Sequence, residues 1–206
     1  MIPARLIRTV AEHTDDATEA LWAKACDLHP GWEHVTYRDP INPEWFPLTS
    51  KHWGRCKNGA QLAGLIRLEA LLHAGGIYID SDVDLVRPLT PLRPLSAFAC
   101  YEDPGVIPDA VLGAEAGHDA IQACLRLALD RLASASTDWR TGNDPWATGP
   151  GVTTTVFPGR DDVLLLPPAA FYPVHYAPRD TLGHRLDTYR PEPWVFGVHR
   201  WAWSWR

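Results

Sequence analysis

No stretch of this chain approaches the roughly 20 consecutive apolar residues that a membrane-spanning helix needs, so no membrane span is expected. Nor does the opening, Met1-Ile2-Pro3-Ala4-Arg5, lead into the apolar stretch of a signal peptide, which predicts a cytoplasmic location. Cysteine is sparse. Cys26, Cys56, Cys100 and Cys124 lie far apart with no C-x-x-C pair, which argues against a disulfide framework or zinc site and for buried free thiols. Lysine is scarce, with Lys24, Lys51 and Lys57 alone. Excess positive charge is missing too: the formal net charge is −6 with nine histidines counted neutral, which argues against nucleic acid as a partner. Internal repeats and low-complexity segments are absent.

What is present suits one compact α/β domain over residues 1–206: hydrophobic residues make up 46% and charged residues 21%, enough to bury an ordinary core. The ten tryptophans are many, and Trp194, Trp201, Trp203 and Trp205 crowd the end. Tryptophan stacks well on sugars and bases and packs equally well in cores, so composition leaves both uses open.

Residues 4–10 read as a first strand. Thr14-Asp15-Asp16 supplies an N-cap and an acidic first turn, followed by Leu21, Trp22, Ala25, Cys26 and Leu28 at helical spacing. After His29-Pro30-Gly31, residues 32–37 read as a second strand. Strand, helix, strand is the signature of a parallel α/β unit. Residues 39–57 predict a loop with a short helix. Asn58-Gly59 opens the next helix, with Leu62, Leu65, Ile66, Glu69, Leu72 and His73 on one apolar stripe and Arg67 beside it; Gly75-Gly76 ends it. Residues 77–79, 97–101, 110–114 and 162–166 predict further strands, and 119–133 a helix.

The buried strand Ile77-Tyr78-Ile79 runs into Asp80-Ser81-Asp82-Val83-Asp84. Ligands of open α/β sheets bind beyond the carboxyl ends of the strands. In extended chain, residues two apart share a side, so Asp80 and Asp82 repel unless a cation sits between them. Mg2+ or Mn2+ fits, since each takes oxygen ligands and shares its shell with substrate phosphates. A bare D-x-D is more often a pair of turn residues capping backbone donors. An EF-hand is excluded by Leu85 where glycine is required. A phosphatase resembling the haloacid-dehalogenase family, with Asp161-Asp162 as a downstream metal pair, remains an alternative, although every lysine lies upstream.

The run from Arg67 to Val83, R-L-E-A-L-L-H-A-G-G-I-Y-I-D-S-D-V, followed by Arg87-Pro88-Leu89, resembles the DXD-containing sugar-binding region of glycosyltransferase family thirty-two. Relatives include the mannosyltransferase that begins outer chains on N-glycans and the catalytic domains of glucosylating toxins. Weaker similarities are Ile2-Pro3, Gly113-Ala114 with Gly117-His118, Thr148-Gly149-Pro150-Gly151, and His199 through Trp205. Two positions depart from the family pattern. Ala63-Gly64 stands where the family has Ser-Asp, whose Asp helps hold the donor sugar, and Arg8-Thr9-Val10 lacks the His and Trp that follow the family's first strand.

The resemblance implies a nucleotide-diphospho-sugar transferase (GT-A) fold, a Rossmann-like, mostly parallel sheet flanked by helices. It implies a retaining glycosyltransferase that moves a sugar from a UDP- or GDP-sugar donor to an acceptor glycan, protein or small molecule. Asp82 is the expected metal ligand and Asp80 binds metal or donor hydroxyls, with Mn2+ or Mg2+ as cofactor. Arg67 reaches the donor or the acidic pair. His199 is a candidate third metal ligand, since neutral imidazole completes such shells. Ser204 and Trp205 are expected to close over the donor, and Asp109 sits where relatives often carry Asn near the reacting carbon. Tyr78, opposite Ile77 and Ile79, reads as packing. A sugar-nucleotide-binding protein without transfer activity is the other alternative, prompted by Gly64.

Overall fold

The computed structural model describes residues 1–134 and 145–202. β1 (Arg5–Val10) and β2 (Glu33–Arg38) pair in parallel, in register from Arg5↔Glu33 to Val10↔Arg38, and α1 (Asp16–Asp27) makes the crossover between them. Asp15 caps α1 by accepting from Thr18 N at 2.7 Å. One carboxylate, Glu19, then ties the helix to both strands. It pairs with Arg8 of β1 and Arg38 of β2, each at 2.6 Å, and accepts the Thr14 hydroxyl. His29 fastens the helix end to a distant segment: Nδ1 meets Ala25 O at 2.7 Å and Nε2 accepts Leu89 N–H at 2.7 Å.

Residues 39–57 carry two short 3-10 helices, Pro43–Trp45 and Ser50–Arg55. α2 (Gly59–Ala74) starts where expected, with Asn58 accepting from Gln61 N at 2.9 Å. The expected single apolar stripe is not what forms. From Gly64 to Leu71 every residue is buried, while Leu72 is half-buried and His73 exposed. The helix is enclosed, so its charged residues need internal partners. Glu69 finds them in the backbone N–H groups of Leu48 and Thr49, at 2.8 and 2.9 Å. Gly75 ends α2 at φ +64°, and a Cβ there would lie 2.7 Å from Ala116 N, so the turn admits glycine for two reasons.

That turn feeds β3 (Gly76–Ile79), parallel to β1. With β5 (Ala97–Cys100), β6 (Val111–Ala114) and β7 (Leu164–Leu166), the central sheet has the order β2-β1-β3-β6-β5-β7. Only β6 runs against the rest, so the sheet is mostly parallel, as expected. β4 (Val83–Leu85) leaves the sheet and pairs antiparallel with β8 (Gly197–His199) as a separate ribbon.

Period-two alternation assigns the two faces. Ile7, Tyr78 and Leu112 join the core under α2, α3 (Asp119–Ala133) and α4 (Pro150–Val156). Leu6, Ile77, Ile79 and Val111 join the opposite core with Ala25 of α1, Val83 and Leu85 of the ribbon, and Phe171. A smaller cluster of Val174, Val195 and Val198 packs with Leu182 and Leu186 of α5 (Leu182–Thr188). Among the described residues, no helix is long and apolar enough to cross a membrane.

Candidate functional site

The carboxyl ends of β1, β3 and β5 open into one cavity of about 770 Å3, a volume suited to a nucleotide-sized ligand. Its lining includes seven carboxylates, Asp15, Asp39, Asp80, Asp82, Glu102, Asp103 and Asp109, against two guanidinium groups, Arg67 and Arg179.

Asp80 and Asp82 lie in the turn between β3 and β4. Asp80 N–H donates to Ala110 O at 2.8 Å and Val83 N–H donates to Asp80 O at 3.1 Å, so the turn is held on both sides. The β4–β8 register places His199 opposite Val83. His199 Nε2 thereby comes 3.4 Å from Asp82 Oδ1, and one ligand atom each from Asp80, Asp82 and His199 falls within 4.8 Å of the others. Two carboxylates and an imidazole form a hard, mixed donor set that suits Mn2+ or Mg2+. His199 Nδ1 is buried with no hydrogen-bond partner among the described residues, consistent with a ring whose polar contacts are completed from outside the chain. Asp84, the third aspartate of the run, takes no part. It pairs with Lys24 at 2.5 Å and with Arg200 at 3.8 Å.

Arg67 reaches this turn from α2. NH2 donates to Asp80 Oδ1 at 2.8 Å, while NH1 donates to Asp109 O at 2.6 Å and contacts Asp109 Oδ2 at 2.7 Å. Burial works against the charge of Arg67, but Asp109 and Asp80 hold the guanidinium ionised. Burial pushes the Asp109 carboxyl up to about 6 despite the pull of Arg67. Tyr78, which the sequence suggested was packing alone, is buried but also bonds. Its hydroxyl donates to Asp80 Oδ1 at 2.9 Å and exchanges a 2.7 Å bond with Thr9 Oγ1, and Arg67 lies 4.4 Å over its ring. Asp80 is therefore oriented by two donors before any ligand binds.

Gly64 does not line the cavity. A Cβ at that position would meet Thr148 O and Thr148 Oγ1, each at 2.8 Å, and Thr148 donates to Gln61 O at 3.0 Å. The missing aspartate is thus a packing solution in this chain, with Thr148 occupying the space a side chain would need. Arg8 points away from the cavity to Glu19 and the Trp22 ring, whereas Thr9 lines it. Asp162 pairs with Arg160 at 2.5 Å, neither Asp161 nor Asp162 lines the cavity, and no lysine does among the described residues, so the phosphatase arrangement is not built here.

Ser204 and Trp205 lie outside the described residues. The chain leading to them crosses the metal turn. Arg200 N–H donates to Asp82 O at 2.9 Å and Ala202 N–H to Asp82 Oδ2 at 2.8 Å. Between them Trp201 adopts φ +58°, held by its indole N–H on Val174 O at 2.9 Å and by the His199 ring at 4.3 Å. Glu102, Asp103, Tyr172 and His175 escaped the sequence reading because they sit on separate loops with no motif.

Residues 4–99 match the family described as the glycosyltransferase sugar-binding region containing a DXD motif. The chain is 31% identical over 108 residues to inositol phosphoceramide mannosyltransferase 3 of Schizosaccharomyces pombe, covering 50% of this chain and 30% of that protein. It is 31% identical over 102 residues to the mannosyl phosphorylinositol ceramide synthase SUR1 of Saccharomyces cerevisiae, covering 46% of this chain and 26% of that one. The chain therefore spans about a third or less of these curated relatives. Among solved structures it superposes on the glycosyltransferase GlyE of Streptococcus pneumoniae TIGR4 with a TM-score of 0.59 at 15% identity, over 97% of this chain and 55% of that one. The PaToxG glycosyltransferase gives 0.56 at 14% identity, over 78% and 72%. Both likenesses are of fold, and the fold is GT-A.

Proposed function

We infer, from the match of residues 4–99 to the glycosyltransferase sugar-binding region containing a DXD motif, that this chain is a metal-dependent glycosyltransferase using a nucleotide-diphosphate sugar. The observation that carries the reading is the imbalance of charge in the cavity, where among the described residues seven carboxylates face two arginines around the Asp80–Asp82–His199 set. A diphosphate is itself anionic and is repelled from such a cavity unless a cation accompanies it. Asp80, Asp82 and His199 would hold Mn2+ or Mg2+. When bound, the ion supplies charge neutralisation of the departing nucleoside diphosphate, a contribution of several kcal/mol.

The protein's own groups prepare that site. Arg67 and Tyr78 fix one Asp80 oxygen, and the Asp82 oxygens are directed by Ala202 N–H and His199. Asp109 is the most enclosed carboxylate near the turn, but its Oδ2 is engaged by Arg67 at 2.7 Å. A carboxylate so engaged is a poor nucleophile. Retention is what the family resemblance implies, and without a free nucleophile it would proceed by attack of the acceptor on the face from which the leaving group departs. The base of the donor is a uracil or guanine in this reading, and the acceptor is a hydroxyl of a glycan, protein or small molecule.

A thermal-shift series with nucleoside diphosphates and nucleotide sugars, with and without Mn2+, tests the reading. A ligand at a hundred times its Kd stabilises by about 2.7 kcal/mol. One nucleoside diphosphate should raise Tm only when Mn2+ is present, and Asp82→Asn should abolish the rise. A rise indifferent to Mn2+, or unchanged in Asp82→Asn, rejects the metal site. Slow donor hydrolysis by the wild type distinguishes a transferase from a protein that merely binds the nucleotide sugar.

A further inference from the structure

Tyr172 lines the cavity with a hydroxyl that is buried and has no hydrogen-bond partner among the described residues. Leaving a buried hydroxyl unpaired costs about 1–3 kcal/mol, and phenylalanine would fill the same space without that cost. A hydroxyl kept there points to a partner from outside the chain. Burial raises the Tyr172 phenol well above its ordinary range, with Cys100 and then Asp80 adding to the effect, so the hydroxyl stays protonated. Its ring lies 5.5 Å from His199 and 5.9 Å from Trp201, beside the acidic turn.

Glu102 and Asp103 follow β5 and line the same cavity. His175 Nε2 lies 3.8 Å from Glu102 Oε1 and 2.8 Å from Asp103 Oδ2, the shorter contact misdirected for a hydrogen bond. The three groups are close enough to suggest a second metal set. The imidazole rules that out. Its Nδ1 accepts Ala177 N–H at 3.1 Å, so the neutral ring carries its proton on Nε2, and a protonated nitrogen cannot ligate a cation. What remains on the cavity wall is two carboxylates and a phenol, with the His175 imidazole beside the carboxylates. Aromatic surface adjoins it. Tyr176 lies 4.2 Å from the His175 ring and 5.3 Å from Trp201.

A phenol and two carboxylates beside an aromatic face match the hydroxyls and C–H face of a pyranose. They do not match a phosphate, which would meet the Glu102 and Asp103 carboxylates with Arg179, 5.9 Å from the Tyr176 ring, as the counter-charge on that side among the described residues. We propose that Tyr172, Glu102 and Asp103 form the acceptor subsite, and that its ligand is an uncharged sugar ring. The assignment rests on the transferase reading above, and names the class of acceptor for the same cavity.

Saturation-transfer NMR on the whole chain with Mn2+ and the nucleoside diphosphate tests it, using the methyl α-glycosides of glucose, galactose and mannose and their 6-phosphates as probes. At least one neutral glycoside should bind about tenfold or more tightly than its 6-phosphate. Glu102→Gln should narrow that ratio by removing the repelling charge. Tyr172→Phe should weaken the neutral glycoside about tenfold while Tm stays level or rises, because no internal bond is lost. A structural tyrosine would behave oppositely, losing Tm with binding unmoved, and that result overturns the proposal. So does equal or tighter binding of the 6-phosphates. Silence from every glycoside, in a protein that does show the Mn2+-dependent nucleotide shift, sinks the acceptor subsite and leaves the transferase reading standing.

Discussion

The two sides of the cavity are built by different means. The metal side comes largely from one continuous piece of chain, in which α2, the glycine turn, β3 and the acidic turn follow each other within residues 59–82. The opposite side gathers Glu102 and Asp103 after β5, Tyr172 from the segment preceding α5, and Trp201 after β8, with the His175 ring beside Trp201. In the first, every charged group is paired or directed: Arg67 on Asp80 and Asp109, Tyr78 on Asp80, Glu69 on two backbone N–H groups. In the second, a phenol stands without a partner and an imidazole N–H faces carboxylates at poor angles. The Arg67–Asp80–Tyr78 network is largely satisfied internally, with Arg67 Nε its unpaired N–H among the described residues, and is set before ligand arrives; the other side leaves more of its hydrogen-bonding capacity to be completed by what binds.

The largest expected effect strikes the satisfied side. Arg67→Ala leaves Asp80 and the buried Asp109 without their counter-charge, and breaking a buried pair by removing one partner costs about 3–5 kcal/mol. For a chain of this size that lowers Tm by roughly 10 °C, read in a calorimetric or fluorescence melt. A loss of only a degree or two would show that the network is looser than its geometry implies.

Gly64→Ala should come next. Alanine improves helix propensity by about 1 kcal/mol, yet its Cβ would sit 2.8 Å from Thr148 O and Oγ1. Overpacking of that kind costs about 1–3 kcal/mol, so the variant should be less stable in urea despite the better helix former. A more stable variant would mean that Thr148 yields freely and that Gly64 is not a packing requirement.

The smallest effect concerns pH and the staple between α1 and Leu89. Burial, against the pull of Ala25 O, lowers the pKa of His29, so the folded state favours the neutral ring. Its contribution is therefore complete above the unfolded value of about 6.5 and is lost as pH falls below it. Stability should decline as pH falls from 7 through the unfolded value, read in urea melts across that range. His29→Gln should flatten that part of the profile; an equally steep fall in the variant would assign it to other groups.

Much of the first side was legible from residue order alone. Asn58 caps α2, Gly75 ends it, and the strand at 77–79 delivers Asp80 and Asp82 to a sheet edge, because capping, turn geometry and strand alternation act over a few residues. The enclosure of α2 was not legible. An apolar stripe was expected, but the chain around residues 46–49 and Thr148 closes over the remaining faces, and only their arrival makes Glu69 an internal acceptor and Gly64 a contact point. Tyr78 was assigned to packing because alternation reports which face a side chain takes and says nothing of where its hydroxyl ends.

Order along the chain by itself determined the acidic turn, the helix that carries Arg67 and the parallel strand–helix–strand start, since each depends on neighbours no more than a few residues away. Tertiary structure alone decided that His199 joins Asp82 through the β4–β8 register, that Asp84 is diverted to Lys24, and that Tyr172 and Glu102 line one cavity. The His199–Asp82 and Asp84–Lys24 contacts join segments separated by tens of residues, and such contacts are chosen by the packing of whole surfaces against one another, which no local spacing encodes.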